Sequence, residues 1–148
     1  RILSILLLAF GARWAFYPLF FWGIVGGFHS LLTPELTSGD TPFMYAEYYI
    51  VHGGIIIIPL YFVFARGWMI GKWTWAKVLG INVLLMAPVG LINYMVDANY
   101  MFLCQRPMVD NPFIMGDWPW YIIGFIGAGA LHYVVLTLLF WKRINKAA

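Results

Sequence analysis

The chain has 148 residues, of which 63% are hydrophobic, 20% aromatic and only 10% charged, with a formal net charge of +3. A soluble domain carries roughly 45–50% apolar and about 25% charged residues, so most of this surface could not face water. The composition excludes a soluble, disordered or collagen-like protein, and we predict an all-α integral membrane protein.

The charge and the motif content exclude several classes of partner. The nine basic residues are spread over short connections and form no patch or arm that could follow a nucleic-acid backbone. The single cysteine excludes a disulfide framework. Nucleotide-binding glycine loops, serine-hydrolase elbows and zinc-ligand spacings are missing. We predict no nucleic-acid partner, no metal and no cofactor, and we expect membrane lipids as the main partner.

The first apolar segment, residues 2–11, is too short to cross about 30 Å of hydrocarbon at 1.5 Å per residue. We expect it to be the tail of a preceding helix whose beginning is missing. On this interpretation residues 1–148 form a single transmembrane helical domain, the C-terminal part of a longer protein.

Four apolar segments of membrane-spanning length follow, at 14–32, 43–65, 78–96 and 118–141. Their connections alternate in charge: 33–42 and 97–117 are acidic, whereas 66–77 and the C-terminal tail are basic. Basic connections stay in the cytoplasm, so we predict a multi-pass protein of the cell membrane with the 66–77 connection and the C-terminus cytoplasmic.

Glycines and prolines add local expectations. Gly23 and Gly27 form a GxxxG pattern that lets helices approach closely, within the chain or between chains. Pro18, Pro59 and Pro88 fall inside apolar segments, where they interrupt or kink a helix.

Ionisable and polar groups at membrane depth are candidates for function because their burial is costly. His52 lies about nine residues, roughly 14 Å, from the nearer end of the second segment. Tyr48 is on the same helix face at i−4, and Glu47 is one and a half turns away. An imidazole held by a carboxylate or a tyrosine is the arrangement of a general base, although Glu47 could instead pair with another helix.

The remaining polar residues admit two interpretations. Asn93 and His29 lie near the same side of the membrane as His52, and either one could simply hydrogen-bond helices together. His132, in the last segment, has no acidic neighbour in sequence and favours a structural role. Cys104 could be a nucleophile paired with His52 or an inert thiol.

Six short blocks in fixed order resemble the YwaF family of bacterial integral membrane proteins and cover nearly the whole chain. They are Phe-Trp-Gly (21–23), Leu-Leu-Thr-Pro (31–34), Glu-Tyr-Tyr-Ile-Val-His-Gly (47–53), Gly-Leu-Ile-Asn-Tyr (90–94), Asn-Tyr-Met-Phe-Leu-Cys-Gln-Arg-Pro (99–107) and Trp-Pro-Trp-Tyr (118–121). That family is distantly similar to animal transmembrane protein 164, described as moving a fatty acyl group between phospholipids through a cysteine and a histidine.

The resemblance implies a role for one residue. The animal protein's histidine follows Tyr-Tyr-Ile-Gln, which matches Tyr48, Tyr49 and Ile50 before His52, with Val51 in place of the glutamine. Its nucleophilic cysteine belongs to an earlier helix that would precede Arg1, and Cys104 matches a different block. The implied function is a lipid acyltransferase or hydrolase with His52 as base and an upstream cysteine as nucleophile. Glu47 and Asn93 would orient or polarise, and Cys104 completes the candidate set.

The alternative is a non-catalytic structural subunit that packs against other membrane subunits of a larger complex. The short chain, the small-residue helix faces and the high tryptophan content suit that role. A small transporter is a weaker reading because no helix carries a run of charges.

Overall fold

The computed structural model describes residues 1–34, 36, 39, 41–108 and 116–145, which are mostly helical. The α-helices are α1 (Ile2–Phe10), α2 (Arg13–Pro18), α3 (Ile24–Leu32), α4 (Pro42–Phe64), α5 (Thr74–Val96) and α6 (Trp120–Leu139). A π-helical turn at Leu19–Gly23 joins α2 to α3, and 3-10 turns lie at Tyr100–Phe102 and Trp141–Arg143. Two short strands, β1 (Ile70–Gly71) and β2 (Ile144–Asn145), pair in parallel.

The four predicted membrane spans are confirmed. The continuous unit Arg13–Leu32 and the helices α4, α5 and α6 are all long and apolar enough to cross a membrane. The largest difference is that α5 starts four residues before the predicted 78, because the helix continues through Thr74–Lys77 beyond the apolar run. The segment expected to be helical at 2–11 forms α1 and ends at Gly11, whose φ of 63° suits glycine.

Local sequence explains both ends of α4. The Thr41 hydroxyl accepts a hydrogen bond from the Met44 amide at 3.3 Å, and Pro42 occupies the first turn, where its missing N–H costs nothing. At the other end the chain turns back, so that the Trp68 amide donates to the Phe62 carbonyl at 2.9 Å. The last carbonyls of a helix need such partners when no water is at hand.

Prolines act differently at the three positions. Pro18 is the last residue of α2 and is followed by the π-helical turn, so the predicted interruption is confirmed there. Helices α4 and α5 continue without a break through Pro59 and Pro88. A membrane helix tolerates proline where neighbouring groups approach the carbonyl that it leaves without a donor.

The helices pack mainly as two pairs, α3 with α4 and α5 with α6, and α3 also meets α6. Gly23 and Gly27 face α4 directly: a Cβ on Gly23 would lie 2.6 Å from the Ile55 carbonyl oxygen, and one on Gly27 3.0 Å from that of His52. The GxxxG pattern is therefore used for packing within the chain. The close approach sets His52 against the middle of α3.

The buried core lies around α2 and the π-helical turn, with Phe16, Phe20 and Phe21 packed against the ends of α4 and α6. Outside this core, large apolar side chains are exposed along the spans; Leu84 on α5, for example, is 75% exposed. Such faces fit a chain whose surroundings are hydrocarbon, where exposed leucine carries no penalty.

Candidate functional site

His52 lies about midway along α4, half-buried where that helix crosses α3. Its Nδ1 is 2.8 Å from the Tyr48 carbonyl oxygen. A carbonyl can only accept, so Nδ1 carries the hydrogen and donates it. In the neutral ring the lone pair is then on Nε2, the nitrogen that can accept a proton.

Tyr48 supports this histidine with its ring as well as its carbonyl. The two rings lie 4.1 Å apart between centroids with an interplanar angle of 35°. The Tyr48 hydroxyl donates to the Ser30 carbonyl on α3 at 3.0 Å. The predicted sharing of one helix face is confirmed, and the tyrosine fixes both the ring of His52 and the position of α4 against α3.

Glu47 points elsewhere. Its carboxylate forms an ion pair with Arg1, just before α1, in which the two side chains are 36% and 66% exposed. Residues five apart on a helix are turned about 140° from each other, which directs Glu47 away from His52. Of the two interpretations left open by the sequence, pairing with another segment is the one observed. The Tyr48 carbonyl, and not Glu47, holds the His52 ring.

The other two histidines form a pair that sequence reasoning missed. The Nε2 atoms of His29 on α3 and His132 on α6 are 3.2 Å apart, and the rings meet edge to face. His132 Nδ1 lies 2.7 Å from the Ala128 carbonyl, so it donates there, and its Nε2 accepts from His29 Nε2–H. The residues are 103 positions apart, and the only sequence signal was that each is a histidine at membrane depth.

Asn93 is a structural anchor in this geometry. It is 1% exposed, its Oδ1 accepts from the Tyr100 amide at 2.8 Å, and its Nδ2 donates to the Tyr100 carbonyl at 2.9 Å. The side chain thereby closes the turn that follows α5. It lies at the end of α5, in the other helix pair from His52.

Three more side chains form hydrogen bonds with the backbone of the turn that begins at residue 97. Asn99 Oδ1 accepts from the amides of Cys104 and Gln105 at 3.0 and 3.1 Å. The Tyr121 hydroxyl and the Trp118 indole donate to carbonyls of the same turn, at 2.9 and 3.0 Å. These bonds hold Met101 and Phe102 at positive φ of 59° and 52°, a conformation that costs such residues energy unless the surroundings impose it.

Cys104 belongs to this turn, and its free thiol is exposed. In the described part of the chain it makes no side-chain contact with His52, since α5 packs with α6 while α4 packs with α3. The structure therefore does not form the Cys104–His52 pair that the sequence offered as one alternative.

Below the turn, α5 and α6 enclose a cleft of about 190 Å³. Met86, Phe102, Phe125 and Ile126 line it, together with the side chain of Asn82. A mainly apolar cleft of this size can hold part of an acyl chain. For metal binding, no three His, Cys, Asp or Glu side chains converge among the described residues.

Comparison with known protein families gives a match over most of the chain. The model of the TMEM164 family matches residues 1–140. The chain belongs to the TMEM164 family. No curated protein and no solved structure matches it.

The TMEM164 match includes every candidate residue named above, and only the last eight residues, 141–148, lie beyond it. Family membership and the four spans together establish a polytopic membrane protein. The match confirms the predicted similarity to transmembrane protein 164, whereas the YwaF-type assignment and the role of His52 stay predictions.

Proposed function

We propose that this TMEM164-family protein transfers or hydrolyses the acyl esters of membrane phospholipids, with His52 as general base. The observation that carries the proposal is the hydrogen bond from His52 Nδ1 to the Tyr48 carbonyl at 2.8 Å. It orients a half-buried imidazole and leaves Nε2 to take up a proton. A positioned base of this kind contributes typically 10²–10⁴-fold to a rate.

The proposed chemical step uses that geometry. His52 Nε2 removes the proton of a nucleophile, a thiol as the resemblance implies or a water molecule. The nucleophile adds to the ester carbonyl, the bond from carbonyl carbon to glycerol oxygen breaks, and the leaving alkoxide takes the proton from the imidazolium. With a thiol as nucleophile the acyl group remains as a thioester; His52 then deprotonates the hydroxyl of a second lipid, which attacks the thioester carbonyl, the C–S bond breaks, and the thiolate takes the proton back. With water as nucleophile the acyl group departs as a fatty acid.

The other candidate residues act at a distance in this proposal. Asn93 positions the turn that carries Cys104, through its two bonds to Tyr100. Glu47 holds α1 against α4 through Arg1. Cys104 is a nucleophile only if the turn and His52 approach each other, and its replacement by serine decides the point.

The test uses the full-length protein in vesicles with a fluorescent phospholipid as acyl donor and a lysophospholipid as acceptor. His52→Gln should lower turnover by about 10²-fold or more while thermal unfolding and gel filtration stay normal. The matched control is His132→Gln, which removes an intramembrane imidazole outside the proposed chemistry and should keep its turnover per folded molecule. Wild-type turnover in folded His52→Gln contradicts the proposal.

Two further outcomes have defined meanings. Retained turnover in Cys104→Ser places the nucleophile elsewhere. If the wild-type protein transfers and hydrolyses no acyl ester but co-purifies with fixed partners, the structural-subunit alternative replaces the enzyme. The largely exposed apolar faces of α4 and α5 would then be the surfaces available to those partners.

We further propose a YwaF-type member located in the cell membrane, with the basic connections in the cytoplasm. The ordered sequence blocks support the first point, and the alternation of acidic and basic connections supports the second. In this orientation His52 lies in the outer half of the membrane, which favours outer-leaflet phospholipid as substrate.

A further inference from the structure

Positive charge is concentrated at one end of the molecule, here called the basic end. It comprises six exposed side chains, those of Arg13, Arg66, Lys72, Lys77, Lys142 and Arg143. The acidic residues that the structure describes, Glu47, Asp97 and Asp117, belong to the opposite ends of α4, α5 and α6. Among the described residues the only ion pair joins Arg1 to Glu47, and no described carboxylate pairs with a cation of the basic end.

Tertiary contacts bring the basic end together from three separate stretches of chain. The parallel pairing of β1 with β2 sets Ile70 beside Ile144 and Gly71 beside Asn145. Lys72 thus adjoins the segment that follows Lys142 and Arg143. Arg143 in turn donates to the Val63 carbonyl at the end of α4, at 3.5 Å.

Aromatic rings hold three of these cations at a defined level. Arg13 lies over Trp68 at 5.1 Å, Lys72 over Trp73 at 5.3 Å and Arg143 over Phe64 at 5.5 Å from the ring centroids. Each distance is within the range of cation–π attraction. Tryptophan rings favour the boundary between hydrocarbon and headgroups, so cations held on them lie at the level of lipid phosphates.

The surface next to these cations is apolar. Phe64 is 60% exposed and Leu139 is 75% exposed, each within a few residues of a basic side chain. A free phosphate ion would use the cations only, whereas an anionic phospholipid would use both its phosphate and its acyl chains. The arrangement therefore favours the lipid.

We propose that the basic end is a binding surface for anionic phospholipid headgroups. It gathers negatively charged lipid around the ends of α4 and α6 through Arg13, Lys72 and Arg143, with Arg66, Lys77 and Lys142 adding to the field. The proposal does not use His52 and stands independently of the acyl chemistry. The free energy with which clustered Lys and Arg next to membrane helices bind anionic lipid grows with the number of these residues.

The test reconstitutes the full-length protein in vesicles of phosphatidylcholine and phosphatidylglycerol, with one or the other lipid brominated in turn. Brominated lipid quenches nearby tryptophans, so the ratio of quenching by the two lipids reports which one contacts the protein. The double variant Arg13→Gln/Arg143→Gln is compared with Arg1→Gln/Arg106→Gln, which removes two arginines from the opposite end. Each arginine lost from the basic end should lower the preference for phosphatidylglycerol about fivefold.

The expected result is a wild-type preference for phosphatidylglycerol that falls with added salt, persists in the opposite-end variant and is lost in the basic-end variant. If that variant fails to fold, Arg13→Lys/Arg143→Lys keeps the charge and should retain the preference. Equal quenching by both lipids in the wild type, equal losses in both double variants or suppression by inorganic phosphate at constant ionic strength overturns the proposal.

Discussion

At the scale of single residues, the structure separates side chains that the sequence grouped together. His52 and Asn93 are both polar, both at membrane depth and both in blocks shared with the same resemblance. Among the described residues only Nδ1 of His52 bonds to a protein atom, so Nε2 is left for the proposed chemistry. Asn93 uses its carbonyl oxygen and its amide nitrogen on one backbone unit, Tyr100, and so acts on the shape of the turn.

Replacing Asn93 by Ala should destabilise the protein by about 1–3 kcal/mol, because it removes the two hydrogen bonds that the buried Asn93 side chain makes with the Tyr100 backbone. Thermal unfolding in detergent measures the loss. Asn82→Ala is the matched control, since Asn82 is on the same helix and makes no hydrogen bond within the described residues. Equal melting temperatures for the two variants would show that the Asn93 bonds contribute nothing.

At the scale of elements, the contact between α3 and α4 depends on a glycine and a proline together. Pro59 has no N–H, so the carbonyl four residues earlier, that of Ile55, loses its helical donor. That oxygen lies against Gly23, at 2.6 Å from where a Cβ would stand. The Cα–H of glycine in that position is directed at the oxygen, which allows a weak Cα–H···O contact in place of the missing bond. The same crossing brings His52 next to Gly27.

Gly23→Ala should therefore lower stability by about 1–3 kcal/mol, because its methyl group meets backbone and α4 must move away. Gly26→Ala is the control: its Cβ would meet nothing within 4 Å, so its stability should stay at or slightly above that of the wild type. Unfolding in detergent compares the two. A loss of the same size in both variants would argue against the close contact.

At the scale of the whole molecule, charge and packing divide the protein along its length. The buried aromatic core and the cations lie toward the basic end, whereas the described acidic residues and the turn that follows α5 lie toward the other. The helix pairs α3–α4 and α5–α6 meet through His29 and His132. These two histidines join the half that carries His52 to the half that carries Cys104.

The proposed orientation can be tested by labelling Cys104 in the full-length protein, after any other cysteine, such as the upstream one that the resemblance implies, has been replaced by serine. Cys104 is exposed, and a membrane-impermeant maleimide should label it from outside intact cells. In a Cys104→Ser background, Lys72→Cys should be labelled only after permeabilisation, because residue 72 belongs to the basic connection. The reverse pattern would invert the topology and move His52 to the inner half of the membrane.

Sequence was sufficient for features that depend on neighbours along the chain. The four spans follow from apolar runs of membrane length, the start of α4 follows from Thr41 and Pro42, and the facing of Tyr48 and His52 follows from the helical repeat. Each is a property of a few consecutive residues and is indifferent to which helix lies next to which.

Only the tertiary structure decided the contacts between distant residues. The His29–His132 pair, the Arg1–Glu47 ion pair and the assembly of the basic end all depend on which helices pack together. Every span is apolar on nearly all sides, so hydropathy does not distinguish the face that meets a helix from the face that meets lipid. The faces that meet other helices are set by small residues, by carbonyls that lack a helical donor and by a few polar bonds. These features contribute energy only when the helices lie side by side.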